Sequence, residues 1–187
     1  MNVTYPTPHR FTVDEYHRMG QIGVLQPDAR LELIQGEILD MTPIGSQHAS
    51  IVGRLIKLLV QQVGDHAFVN AQNPLWLSQR SELVPDVMLL KPRDDDYEQE
   101  LPRPADVLLL IEVADTSLDH DRNTKLPLYA SAKIPEVWIV NLRERVVEVY
   151  TNPTQKGYAD LHRTVPGEIL RPQALSSCSI PLQAVLK

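Results

Sequence analysis

The sequence predicts a mixed α/β (α+β) fold, one central sheet flanked by helices. Three observations predict it. Residues 46–64, "SQHASIVGRLIKLLVQQVG", place apolar side chains at 51, 52, 55, 58, 59 and 63, the period of an amphipathic helix. Apolar runs at 83–91, in "DVLLLIEVADTS" (106–117) and at 136–142 have the length and the β-branched content of buried strands. The order along the chain is helix, hairpin, helix, several strands, helix, hairpin, which suits helices packed on one sheet.

Each element has its own signal. Thr12 and Glu15 have capping-box spacing, and Gly20 or Gly23 can end the short helix they start. "RLELIQGEILDM" (30–41) alternates apolar and polar residues around Gln35-Gly36 and reads as a β-hairpin. Gly64 supplies a stop for the 46–64 helix. "HAFVNAQ" and "PLWLS" read as short strands, and "LVPDVMLLK" (83–91) as another, with Pro85 near its start or on an edge. "PRDDDYEQELPRP" (92–104) is acidic and proline-rich, hence a solvated loop. In 118–133 Pro127 obstructs a regular helix. A helix that starts near Asp119 and bends is preferred to one that starts near Thr124, because it sets Asp121 four residues before Lys125 on one face. "EVWIVNL" and "VVEVYTN" flank "RER" as a hairpin. Beyond residue 153 only scattered short β segments and a last turn near "LQAVLK" are expected.

Length and composition bound the rest. A chain of 187 residues fits one domain, 1–187, that buries roughly 70% of its unfolded surface. The 43% apolar and 22% charged content is that of a globular protein. The single cysteine, Cys178, excludes an internal disulfide and a cysteine-rich metal site and fits a reducing cytoplasm. The N-terminus has no apolar core of a signal peptide. No apolar run approaches the ~20 residues that span a bilayer, so no membrane role is expected. A formal charge of −6 argues against broad electrostatic attachment to nucleic acid, although it leaves room for a local basic rim.

The chemistry concentrates in four residues: Glu32 in the hairpin, Asp86 after Pro85, Glu112 inside "LLLIEVA", and Lys125. Asp86 and Glu112 each interrupt an apolar strand, where an unpaired carboxylate is costly. If the two strands pair, one register brings both carboxylates to one face. Two close carboxylates repel unless a cation lies between them. Hard oxygen ligands at a partly open site suit Mg²⁺ or Mn²⁺, an ion that activates water and offsets phosphate charge. A nearby lysine adds positive charge where the transition state is most negative. Read singly, the same residues have plainer roles. Glu112 could be a structural acid paired with Arg122 or Lys125, Asp86 the first residue of a strand or turn, and Glu32 a solvated hairpin residue. His48 could be a capping or surface residue at a helix start. Asp115, Asp119 and Asp121 could serve a helix N-terminus rather than a metal; Asp121 is singled out by its spacing from Lys125.

"VPDV … LLLIEVADTSLDHDRNTKLPLYASAKIPEVWIV" resembles the Uma family of bacterial proteins, a branch of the PD-(D/E)XK nucleases with the restriction-endonuclease-like fold. "RLELIQGEI" and "SQHASIVGRL" extend the resemblance to about residues 10–150. It implies a central mixed sheet flanked by helices and Mg²⁺- or Mn²⁺-dependent phosphodiester hydrolysis, with DNA as substrate. It also implies Asp86 and Glu112 as metal ligands and catalytic residues, with Glu32 and Lys125 completing the catalytic set. The superfamily pattern sets a lysine two residues after the glutamate, where this chain has Ala114; the resemblance implies that Lys125 on the following helix replaces it. Asn141 stands where relatives carry Asp after "WIV". RNA or branched DNA are further substrate readings, and a homodimer would supply two sites for two strands. The competing class is a binding or regulatory protein that keeps the fold without turnover.

Overall fold

The computed structural model describes residues 6–187; the reading of the first residues as lacking a signal sequence falls partly on 1–5, outside the described residues. Helix α1 (Val13–Gln21) starts at the expected capping box. Glu15 N–H donates to Thr12 Oγ1 and Thr12 N–H donates to Glu15 Oε2. Strands β1 (Leu31–Ile34) and β2 (Glu37–Asp40) form the expected hairpin. Gln35 and Gly36 both have positive φ, 51° and 81°, the signature of a turn that matches strand twist. Helix α2 (Ser46–Val63) buries Ile51, Val52, Leu55, Leu59 and Val63 along one stripe and stops at Gly64.

Among the described residues the central sheet has six strands. They are β3 (Phe68–Asn70), β6 (Val87–Leu90), β7 (Val107–Ala114), β8 (Glu136–Asn141), β9 (Val146–Thr154) and β10 (Gly157–Arg163), in the order β10-β9-β8-β7-β6-β3. Only β7 and β8 run parallel, so the sheet is mixed. Alternation along β6 and β7 divides the core. Val87, Leu89, Leu109, Ile111 and Val113 face α2 and the C-terminal segment, which brings Ile180, Leu182 and Val185. Met88, Leu90, Leu110 and Ala114 face the other way, toward Leu118, Leu126 and Tyr129.

Two expectations need correction. The run 83–91 is not one strand. Leu83 ends β5 (Ser81–Leu83), which lies in a separate four-stranded sheet with β4 (Leu75–Ser78), in the order β2-β1-β5-β4. The chain crosses between sheets at Val84, Pro85 and Asp86 before β6 begins. Pro85 has no N–H to give a ladder and suits the break. The expected single sheet is therefore a central sheet with a smaller antiparallel one beside it. The tail also holds more order than expected: β10 pairs with β9 over Gly157–Arg163. A short ladder of β11 (Ile169–Leu170) and β12 (Ile180–Pro181) and helix α5 (Leu182–Val185) close the chain.

The acidic loop 92–101 is ordered rather than merely solvated. Tyr97 is buried, donates to the Lys91 carbonyl at 2.8 Å, and lies under the Arg93 guanidinium, which is ion-paired with Asp95. Between β7 and β8 the helix spans Pro127 by changing its winding. α3 (Leu118–His120) passes into a π turn (Asp121–Lys125) and then α4 (Leu126–Ser131). Leu126 N–H reaches five residues back to the Asp121 carbonyl. This is the helix that starts before Pro127, with a π turn in place of the expected bend.

Candidate active site

Register builds the site. The antiparallel pairs Met88↔Leu110 and Val87↔Ile111, carried one step further, set Asp86 opposite Glu112. Opposite residues share a face of the sheet, and this face is the one that packs under the π turn. The two carboxylates thus sit on adjacent chain segments, on one side, at the wall of a cleft of about 560 Å³. Glu32, Lys125, Asp121 and His48 line the same cleft, with Arg30 and Asp115 at its rim.

Asp86 is fixed by one oxygen. Its Oδ2 accepts the Val113 N–H at 2.8 Å and His48 Nε2 at 3.0 Å. Among the described residues nothing hydrogen-bonds to its Oδ1. Glu112 also uses one oxygen: Oε1 accepts Tyr129 Oη at 2.6 Å and Lys125 Nζ at 3.4 Å. Lys125 Nζ lies closer to Glu32 Oε1, at 2.9 Å, and that same oxygen accepts the Val84 N–H at 2.8 Å. Glu32 is thus buried, not a solvated hairpin residue; it ties the inter-sheet crossover to the lysine.

The electrostatics follow from this crowding. Burial pushes the Glu112 carboxyl up to about 8; Lys125 opposes the shift, and the charges of Asp121, Asp86 and Glu32 add to it. For Lys125 burial pulls downward, but Glu112, Glu32 and Asp121 outweigh it and hold the ammonium above its ordinary range. Burial also raises Asp121, whose Oδ2 accepts Ser117 Oγ at 2.7 Å. The hydrogen bond to Asp86 raises the His48 imidazole against the effect of its burial.

Several expectations about individual residues are decided by contacts. Arg122 does not pair with Glu112. It forks onto Glu148, whose carboxyl burial would raise but which Arg122, Tyr150 and Asn141 together hold low. Lys125 points at Glu112 and Glu32 and makes no hydrogen bond to Asp86. Asp115 is half exposed, 4.0 Å from Arg143, and Asp119 is exposed and off the cleft wall. Asn141 faces Glu148 and Glu144, away from the cleft. Tyr129 escapes a reading of the sequence, although its place four residues after Lys125 on one helix was a usable signal. The Val113 amide, being backbone, left none.

The donor set can be tested against a divalent ion. Among the described residues no three His, Cys, Asp or Glu side chains converge as a closed ligand cage. That excludes the all-protein coordination typical of structural zinc. Two carboxylates, each with an oxygen free of hydrogen bonds, fit Mg²⁺ or Mn²⁺, which keep waters and take one or two carboxylates.

The fold is restriction-endonuclease-like, a mixed sheet flanked by helices, with Glu112 on β7, Asp86 just before β6 and a buried lysine beside them. The chain belongs to the Uma2 family, described as "Putative restriction endonuclease", whose sequence model matches residues 13–183. A crystal structure from Anabaena variabilis ATCC 29413, described as "a putative nuclease belonging to DUF820", shares the fold. It has a TM-score of 0.71 and 16% identity, over 94% of this chain and 97% of that one. No curated protein matches the chain. Among the described residues no helix is long and apolar enough to cross a membrane.

Proposed function

We propose that this chain is a divalent-metal-dependent endonuclease, hydrolysing phosphodiester bonds in DNA as a single domain. The observation that carries the reading is that Asp86, bonded to the β7 backbone at Val113, and Glu112 of β7 line one cleft, in which Lys125 lies between Glu112 and Glu32. Asp86 and Glu112 would hold Mg²⁺ or Mn²⁺. When bound, such an ion acidifies water and offsets charge on phosphate. The chain's own groups do the remainder. Tyr129 and Lys125 keep Glu112 in one orientation. Lys125, fixed by Glu32, presents positive charge toward a phosphoryl group whose negative charge grows as water attacks phosphorus and the P–O bond to the leaving oxygen breaks. Arg30, which lines the cleft, would supply a cation for a neighbouring phosphate. A homodimer would supply the second site needed to cut both strands.

One observation favours the other class, a binding or regulatory protein without turnover. Lys125 already ion-pairs with both Glu32 and Glu112, supplying one of the positive charges that a cation would otherwise bring. Nicking of a supercoiled plasmid separates the two. Wild type should nick with Mg²⁺ or Mn²⁺ and not with Ca²⁺, and Asp86→Asn and Glu112→Gln, purified in parallel, should each lose at least about 10²-fold. Equal nicking by all three proteins would assign the activity to a contaminant and leave the binding reading in its place.

A further inference from the structure

We propose that His48 is a positioning residue for Asp86, an inference that rests on the metal-dependent reading above. His48 stands in the first turn of α2, on the cleft wall, and reaches across to the crossover between the two sheets. A carboxylate only accepts, so Nε2 carries the proton and donates it to Asp86 Oδ2 at 3.0 Å. Among the described residues the ring has no other polar engagement: its Nδ1 is buried without a partner. A histidine kept merely to tie a helix to a sheet would be expected to satisfy both nitrogens. Here the whole polar capacity of the side chain is spent on one carboxylate oxygen.

The effect on Asp86 follows from its torsions. The terminal torsion of aspartate is broad and roughly two-fold, so one hydrogen bond leaves the carboxylate free to swing. The Val113 amide supplies one donor from the central sheet, and His48 supplies a second from a different element, both on Oδ2. Two donors use the two acceptor positions of that oxygen. Oδ1 is then the oxygen left for a cation, in a fixed direction. Partners that orient a metal-binding carboxylate in this way are typically worth 10- to 100-fold in metal affinity.

Calorimetric titration with Mn²⁺ tests this on the intact chain, with thermal unfolding of each variant alongside. His48→Ala should bind Mn²⁺ about 10- to 100-fold more weakly than wild type, and His48→Gln, whose amide can still donate to Asp86, should recover most of the loss. His48→Leu serves in place of His48→Ala if that variant does not fold. A His48→Ala or His48→Leu protein that is less stable but binds Mn²⁺ like wild type would reduce His48 to a structural tie and overturn the inference. So would a His48→Gln protein no better than the variants without a donor. Wild type that binds no Mn²⁺ would overturn the metal reading itself and this inference with it, an outcome distinct from the others.

Discussion

Glu112 takes two donors on one oxygen while three other carboxylates surround it, so its charge is the least secure in the site. Its carboxyl rises from an ordinary 4.5 to about 8. A group raised in this way holds a proton in the folded state that the unfolded chain gives up. Its contribution to stability is therefore full below about pH 4.5 and is lost as pH rises through about 8. Across that window wild type should lose stability relative to Glu112→Gln, which cannot titrate. Urea unfolding of both proteins on either side of the window measures the change, and a constant gap between them would contradict the assignment. Lys125 supports a second prediction. It is buried between two acids, so Lys125→Met leaves uncompensated charge and should cost roughly 3–5 kcal/mol, together with about 10²–10⁴ in nicking rate. Denaturant unfolding and the plasmid assay read the two effects separately; a variant equal to wild type in both would leave Lys125 an incidental charge. Asp86 and Glu112 were legible because each interrupts an apolar run in the sequence. What each oxygen bonds to was not, because the Val113 and Val84 amides that fix Asp86 and Glu32 depend on strand register and on the crossover.

At the scale of elements, the π turn Asp121–Lys125 sets which helix residues face the cleft. Pro127 made an irregular helix legible in the sequence. The form of the irregularity was not, since one extra residue per turn leaves no compositional mark. Inserting an alanine after Asn123 overfills a turn that already holds one extra residue and should rotate Lys125 by about 100° relative to the residues before it. The Lys125–Glu32 pair should then break and activity fall at least as far as in Lys125→Met. An insertion variant with full nicking activity would show that the π turn does not place the lysine. The crossover at Val84–Asp86 was misread for a related reason. "LVPDVMLL" is apolar enough for one continuous strand, and only the pairing of Leu83 with Leu75 and of Val87 with Ile111 assigns its two halves to different sheets.

For the whole molecule, short-range signals defined the helices, the hairpins and the strand sequence well, because capping, turn chemistry and periodicity are local. The division into two sheets is a long-range property. The four-stranded sheet pairs β1 with β5 through Leu33↔Glu82, residues far apart in the chain that no local pattern could join. The seven-residue strand β10 was under-read because most of it is exposed and carries no apolar alternation. The arrangement nevertheless serves one end: two sheets and a helix meet at a cleft, each contributing a charged group that would be costly to bury alone. Diffraction from a crystal soaked in Mn²⁺ shows whether Asp86 and Glu112 share an ion. If they do, an anomalous peak lies about 2.1 Å from a carboxylate oxygen of both residues and is absent from Asp86→Asn crystals treated alike. A wild-type map with no peak in the cleft, or with Mn²⁺ held elsewhere while Lys125 stays on Glu112, would contradict a metal site on this pair.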